Sequence, residues 1–253
     1  MKTKFYLPQN FFSKLFLTEL NPADDLEIIS LPASLISKKV SEDNNSIGLI
    51  PSMDLLTFKE FFVSSRIGIS FNALLSNAYV YYKEDQESIE ELAIAGEVTS
   101  NEIVISKILF KEFYDLDIKP KLLTQESIFE EDNLILTGDK NFQEELFLNG
   151  LSFSEEVIEL IDAPYINFLT ASSSDAVLKS FVNNYEDSFI NGHEEVLKNM
   201  KTGFPELAND FIKVNIQHIV FDFENQDLEG INKLLQMPYY YGITKELIDI
   251  KFL

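Results

Sequence analysis

The chain has 253 residues, of which 45% are hydrophobic, so it is long enough to bury a full core as one domain or as two lobes. Its 42 acidic side chains outnumber 20 basic ones, and the net charge of -22 disfavours nucleic acid and anionic membranes as partners. The absence of cysteine excludes disulfides, thiolate metal sites and a thiol nucleophile.

The first third of the chain alternates between strand and helix patterns. "KTKFYL" predicts a strand, and "NFFSKLFLTEL" carries phenylalanine and leucine at helical spacing. The strand "LEIISL" precedes a helix that begins at Pro32, and the strand "SIGLIPS" ends at a corner formed by Pro51 and Ser52. Strands at "EFFVSSRIGIS" and "NAYVYYK" follow. This alternation predicts an α/β fold with mainly parallel sheets flanked by helices.

A second lobe is predicted where the composition turns acidic after residue 83. "AIAGEV" and "NLILTGD" indicate strands, "TSNEIVISKILFKEFYD" indicates a helix capped by Thr99 or Ser100, and "NFQEELFLNG" indicates an acidic helix. "PYINFLTASSS" indicates a returning strand, and the rest, including "HEEVLKNM" and "TKELIDIKF", has helical period. We therefore predict a clamshell, with a first lobe of residues 1–83 and 164–253 that ends in a helical layer, and an inserted lobe of residues 84–163.

The order of these motifs resembles the chorismate dehydratase family of menaquinone biosynthesis. The similarity runs through "LPASL", "SIGLIPS", "ISFNALLSNAYVYY", "VTSNEIVISKILF", "LILTGD" and "APYINFLTAS", and it covers nearly the whole chain. The resemblance implies a two-lobed fold like that of type II periplasmic binding proteins and a cytoplasmic location. It also implies a lyase without cofactor that converts chorismate to 3-enolpyruvylbenzoate, the first step of the futalosine route.

This reaction requires a base for a ring proton and a group that assists the departing hydroxide. With the resemblance, this requirement indicates Ser76 or Asn77 and Asn10 as the residues that orient and polarise the substrate. Asp139 is the candidate acid or base. The structural alternative is that Asn10 caps the first helix and Asn77 is a strand-edge amide.

A chorismate-like substrate carries two carboxylates, so its site must supply donors for anions. Three corners of a clamshell would point into the cleft, each with a hydroxyl at or beside a helix start. The candidate substrate-binding residues at these corners are Ser52, Thr99, Ser100, Asn101, Thr137 and Gly138. The alternative is that Ser52, Thr99 and Asp139 only cap their own helices.

Two other classes of function remain open. The family pattern is altered at Pro8, Asn77 and Ser100, which allows a non-catalytic or differently specific small-carboxylate binder on the same fold. A structural or interaction protein would instead show a cleft filled by side chains such as Phe71 or Tyr165. In the first two classes the partner is a small anionic carboxylate bound by a monomer or homodimer.

Metal binding and membrane insertion are not expected. His193 and His218 are far apart, and neither has a second ligand three or four residues away. No window approaches the roughly 18 apolar residues of a membrane helix, and the apolar start of the chain is broken by Pro8. These patterns predict a cytoplasmic protein without a metal.

Overall fold

Two β-sheets with flanking helices form the fold in the computed structural model, which describes residues 2–83, 89, 91–123, 133–189, 193, 196–197, 200 and 202–253. The first sheet contains β1 (Thr3–Pro8), β2 (Leu26–Leu31), β3 (Ser46–Pro51), β4 (Phe62–Phe71), β10 (Tyr165–Ser172), β11 (Ile219–Asp222) and β12 (Lys251–Phe252). The second sheet contains β5 (Ala78–Tyr81), β6 (Ala93–Gly96), β7 (Lys121–Leu122), β8 (Leu134–Thr137) and β9 (Leu151–Ser152). Each sheet with its helices makes one lobe.

Within the described residues, the α-helices with defined bounds are α1 (Phe11–Leu20), α2 (Ala33–Glu42), α3 (Ser100–Tyr114), α4 (Lys140–Gln143), α5 (Phe153–Ile161), α6 (Asp175–Tyr185), α7 (Glu206–Asn215) and α8 (Asn225–Tyr240). Four of them begin at a side chain that accepts a hydrogen bond from their first turn: Asn10, Thr99, Ser152 and Ser174. None of the helices in the described part of the chain has both the length and the apolar character needed to cross a bilayer.

Both sheets are mixed rather than mainly parallel. The first has the order β11-β4-β10-β3-β1-β2, with β12 beside β4, and the second has the order β7-β6-β8-β5-β9. β1 is parallel to β2 and β3, whereas β10 is antiparallel to both β3 and β4. The reason is the path of the chain, which leaves the first lobe after β4 and returns through β10, so these two strands run in opposite directions.

The crossing between the lobes comes earlier than the predicted boundary at residue 83. β4 ends at Phe71 in the first sheet, and β5 begins at Ala78 in the second sheet. The chain returns between α5 and β10, where the boundary at residues 163 and 164 lies. The strand "NAYVYYK" therefore belongs to the second lobe.

The C-terminal region is less helical than its period predicts. "TKELIDIKF" is extended and ends in β12, which pairs with β4, because Ile248, Ile250 and Phe252 alternate with polar residues and pack on the core at a period of two. The predicted acidic helix is also divided. It forms the four-residue α4 and a 3-10 helix (Leu146–Asn149), with Glu145 between them at a φ of 53°. Half of "HEEVLKNM" lies outside the described residues.

Aromatic side chains join the two lobes where the strands cross. The ring of Phe12 lies 4.9 Å from Phe71 in its own lobe and 6.1 Å from Phe142 in the second lobe, measured between centroids. Tyr165 lies 6.4 Å from Phe71 and 6.2 Å from Phe153. These rings fill the hinge side of the interlobe space, where the strands cross.

Candidate ligand-binding site between the lobes

The predicted site residues lie at strand ends where the two sheets meet. Asn10 follows β1 and Ser52 follows β3 in the first lobe. In the second lobe, Thr99 and its neighbours follow β6, and Gly138 and Asp139 follow β8. Hydrogen bonds across the interface connect the two groups of residues, so the structure brings most of the predicted set together.

Asp139 reaches from the second lobe to the start of α1 in the first lobe. The backbone N–H of Phe11 donates to Asp139 Oδ1 at 2.7 Å, and Lys14 Nζ lies 3.9 Å from Oδ2. Burial raises the pKa of Asp139, while the Phe11 hydrogen bond and the Lys14 charge oppose the rise. The side chain makes no capping bond to its own helix, α4. Asp139 thus acts between the lobes and not as the cap of its own helix.

Asn101 makes a second connection across the interface. Its Oδ1 accepts from the backbone N–H of Met53 at 2.9 Å and from the hydroxyl of Ser52 at 3.2 Å. Its Nδ2 donates to the carbonyl of Asn167 in β10 at 2.8 Å. Ser52 begins a 3-10 helix (Ser52–Leu56) without capping it, and both Ser52 and Asn101 are fully buried. The predicted corner at Ser52 is therefore occupied by a side chain of the other lobe.

Thr99 caps its own helix, α3, as the structural alternative predicts. Its hydroxyl accepts from the N–H of Asn101 at 3.1 Å, and Glu102 Oε2 accepts from the Thr99 N–H at 2.8 Å, which completes a capping box. Ser100 is the first residue of the helix and lies near Asp54. Burial raises the pKa of Asp54, and the Ser100 hydroxyl opposes the rise.

Ser76 and Asn77 lie where the chain enters the second sheet. Ser76 Oγ accepts from the N–H of Ser154 at 3.1 Å and from the Ser154 hydroxyl at 2.8 Å, so it holds the start of α5. The Asn77 carbonyl accepts from the N–H of Gly138 at 2.7 Å. Asn77 Oδ1 is buried and has no hydrogen-bond partner among the described residues. Ser76 thus contacts its own lobe, whereas Asn77 has an unpaired amide oxygen and a backbone carbonyl bonded to Gly138, the residue before Asp139.

Glu97 belongs to this cluster although its sequence context does not single it out. Burial and then the charge of Asp139 raise the pKa of Glu97 to about 7, while Asn10 and Lys14 oppose the rise. Gly138 has a φ of 99°, and a Cβ there would lie 3.1 Å from Glu97 Cγ, so glycine lets the side chain pack over it. The available signal was a pair of Gly-acid dipeptides, Gly96-Glu97 and Gly138-Asp139, each ending a strand.

Several polar atoms in the cluster lack partners. Among the described residues, no hydrogen bond is made by Asn10 Nδ2, Asn77 Oδ1, Glu97 Oε2 or Thr137 Oγ1, all of which are buried. Asn10 lies beside the Glu97 carboxyl but does not meet it in hydrogen-bond geometry. Unpaired buried polar atoms are uncommon and require an explanation such as water or a ligand. The cluster has donors, acceptors and one carboxyl that exchanges its proton near neutral pH.

The two histidines lie outside this cluster. His193 contacts Glu19 Oε1 and the Ile219 carbonyl, each at 2.6 Å, and its ring packs on Phe221. His218 is half-buried at the end of a 3-10 helix. In the part of the chain that is described, no three His, Asp or Glu side chains group as metal ligands do.

Comparison with known proteins identifies the fold. No protein-family model and no curated protein sequence matches the chain. Protein AF1704 from Archaeoglobus fulgidus is similar in structure, with a TM-score of 0.65, 13% identity, and 96% of this chain and 98% of that chain covered. The alkanesulfonate-binding protein SsuA from Xanthomonas axonopodis pv. citri, solved with bound MOPS, gives a TM-score of 0.64, 10% identity, and coverage of 100% and 98%.

A third similar structure is the CA3427 gene product of Candida albicans, which is described as having the generic periplasmic binding protein fold. It gives a TM-score of 0.55 and 12% identity, with 97% of this chain and 92% of that chain covered. At these identities the similarity concerns the fold alone. The chain therefore has the two-lobed α/β fold of the periplasmic binding proteins.

Proposed function

We propose that this protein binds a small carboxylate-bearing molecule between its lobes. The observation that carries the proposal is the carboxylate of Asp139, held at the start of α1 by the Phe11 N–H and near Lys14. A helix N-terminus favours an anion through its free N–H groups and its dipole. This local preference matters because the net charge of -22 otherwise repels anions.

The unpaired polar atoms around this position favour a binder over a purely structural protein. Phe71 and Tyr165 do fill the hinge side of the interlobe space, as expected for the structural class. At the strand ends, however, Asn10 Nδ2 and Glu97 Oε2 lack hydrogen-bond partners among the described residues. A ligand with both acceptor and donor atoms would satisfy them.

The more specific proposal is that the ligand is chorismate and that the site dehydrates it. The order of motifs supports this substrate, and Glu97 supplies the acid–base group that the reaction needs. Ionised Glu97 takes the proton from the ring carbon that bears the enolpyruvyl ether, and the C–O bond of the neighbouring hydroxyl breaks. The proton passes to the departing hydroxide, so that water leaves, the ring becomes aromatic and Glu97 is ionised again. Asn10 and Asn77 orient the substrate in this proposal, and a cytoplasmic location accords with it.

Thermal unfolding with and without ligand tests the binding function. A ligand that binds only the folded protein raises the melting temperature, and the rise grows with the logarithm of the ligand concentration above Kd. We expect chorismate and benzoate to stabilise the protein, and benzamide, which has benzoate's shape without its charge, to leave it unchanged. Equal effects of benzoate and benzamide, or no effect of either carboxylate, would overturn the proposal.

Turnover of chorismate tests the catalytic function separately. The absorbance of the aromatic product is followed for the wild type and for Glu97→Gln, with Glu159→Gln, at an exposed position of α5, as the matched control. Loss of a general base lowers rates by about a hundredfold or more, so Glu97→Gln should lose most activity and the control none. Asn10→Ala then tests the role of Asn10 in orienting the substrate. Ser76→Ala tests whether turnover depends on the hydrogen bonds by which Ser76 holds the start of α5. Binding of chorismate without product would leave the protein a carboxylate binder.

A further inference from the structure

Two of the hydrogen bonds between the lobes have the same form. In each, a side-chain oxygen of the second lobe accepts a backbone N–H of the first lobe: Asp139 Oδ1 from Phe11, and Asn101 Oδ1 from Met53. The Asp139 contact places a carboxylate on the N-terminus of the ten-residue helix α1. This is the interaction that the proposed function assigns to the carboxylate of the ligand.

Asp139 satisfies this position only in part. Its Oδ2 is 3.9 Å from Lys14 Nζ, which is beyond hydrogen-bond distance. Asn10 is the N-cap of α1 and is fully buried; its Oδ1 accepts from the Ser13 N–H at 2.9 Å, and its Nδ2 is left without a partner among the described residues. A free carboxylate is not tethered to β8. It can therefore take the Phe11 N–H and approach Asn10 Nδ2 and Lys14 more closely than Asp139 does.

The charge of Asp139 also acts on Glu97. It is the second largest cause, after burial, of the raised pKa of Glu97, so the two carboxyl groups repel each other when both are ionised. A ligand carboxylate on the Phe11 N–H carries the same charge, so this repulsion does not distinguish it from Asp139. Displacement of Asp139 by a ligand exchanges its partly satisfied contact for closer contacts with Asn10 Nδ2 and Lys14.

We propose that Asp139 is a built-in competitor, which holds the two lobes together at the N-terminus of α1 and is displaced from that position by the carboxylate of the ligand. This inference rests on the proposed function, and it assigns the carboxylate of the ligand to a defined subsite. Opening breaks the Asp139–Phe11 bond, and the ligand then takes the place of the Asp139 carboxylate.

The distance between the lobes tests the closing role without any ligand. Because the chain has no cysteine, Lys38→Cys in α2 and Gln143→Cys in α4, both exposed, give one spin-label pair across the lobes. Asp139→Ala in this background should shift the distance distribution to longer values, and Asp139→Asn, which keeps an oxygen for the Phe11 N–H, should shift it less. Glu159→Ala, an exposed acidic residue of the second lobe, should leave it unchanged.

The affinity for benzoate tests the competition. Removal of an internal competitor should tighten binding by roughly tenfold, within the usual range of coupling between two sites. Titration calorimetry on wild type, Asp139→Ala and Glu159→Ala measures this ratio, and circular dichroism checks that each variant is folded. If Asp139→Ala does not fold, Asp139→Asn takes its place, with a smaller gain expected because its amide oxygen still competes without charge.

Three outcomes are decisive. A longer distance with tighter benzoate binding in Asp139→Ala supports the proposal. An unchanged distance, or benzoate binding that is equal or weaker, overturns it. A longer distance when no variant binds benzoate would overturn the proposed function and the competition, because Asp139 would then only hold the lobes together.

Discussion

Glu97 and Asp139 each follow a glycine at the end of a strand of the second sheet, and those strands, β6 and β8, are parallel neighbours with Gly96 opposite Thr137. The pairing places the two carboxyl groups at the same sheet edge, which faces α1 of the other lobe. Because the Asp139 charge acts on Glu97, the two groups titrate as neighbours and not independently.

Replacing Asp139 by asparagine should lower the pKa of Glu97 from its value of about 7, because the repelling charge disappears while burial remains. Carbon-13 NMR of the glutamate carboxyl groups through a pH titration measures the change, and Glu97→Gln identifies the signal. A Glu97 pKa that is unchanged or higher in Asp139→Asn would contradict the coupling between the two groups.

The stability of the protein should depend on pH through Glu97. Its pKa is higher in the folded protein than the ordinary value of 4.5, so folding takes up a proton between about pH 4.5 and 7, and stability falls as pH rises through this range. Relative to Glu97→Gln, which stays neutral, the wild type should lose roughly 2 kcal/mol between pH 5 and 7 and then level off. Urea unfolding at several pH values measures the difference. A flat difference between the wild type and Glu97→Gln would refute the assignment.

Asn101→Ala should destabilise the protein by about 2 to 4 kcal/mol in urea unfolding, because it leaves the Met53 N–H and the Asn167 carbonyl without their partner. Asn232→Ala is the matched control, since that side chain is exposed and bonds only within its own helix. The control should change stability by less than about 0.5 kcal/mol. Similar values for the two variants would show that the contact between the lobes contributes little.

His193→Ala should lower the free energy of unfolding by about 3 kcal/mol, because it leaves the carboxyl group of Glu19, a residue that is 8% exposed, without its partner in the core. His218→Ala serves as the control, because His218 has only a weak contact with Gln217. Chemical unfolding at pH 7 compares the two variants. A loss below about 1 kcal/mol in His193→Ala would mean that the pair with Glu19 does not hold α1 to β11.

The local features of the fold could be predicted from the sequence. The capping box that begins at Thr99 and the strand that ends at Pro51 both depend on residues close in the chain, and both are present. The helical period predicted for the terminal segment "TKELIDIKF" is wrong. Ile248, Ile250 and Phe252 alternate with polar residues and form an extended segment. Over so short a stretch, the spacing of apolar residues does not distinguish an extended segment from a helix.

The partners across the interface could not be predicted from the sequence. Asn101 meets Met53, and Asp139 meets Phe11, only because the lobes dock in one particular way, and no pattern within either segment encodes that docking. Glu97 was missed for a related reason. Its raised pKa arises from burial and from Asp139, which lies 42 positions away in the chain and is brought close by the pairing of β6 with β8.

The most direct test of carboxylate binding at the start of α1 follows the Phe11 amide by proton–nitrogen NMR, with its signal assigned through Phe11→Leu. Addition of benzoate should shift this signal until it saturates, because the Phe11 N–H exchanges the Asp139 carboxylate for that of the ligand. Benzamide at the same concentrations should leave the signal in place. A Phe11 amide that does not move with benzoate or chorismate, or that moves equally with benzamide, would contradict carboxylate binding at this position.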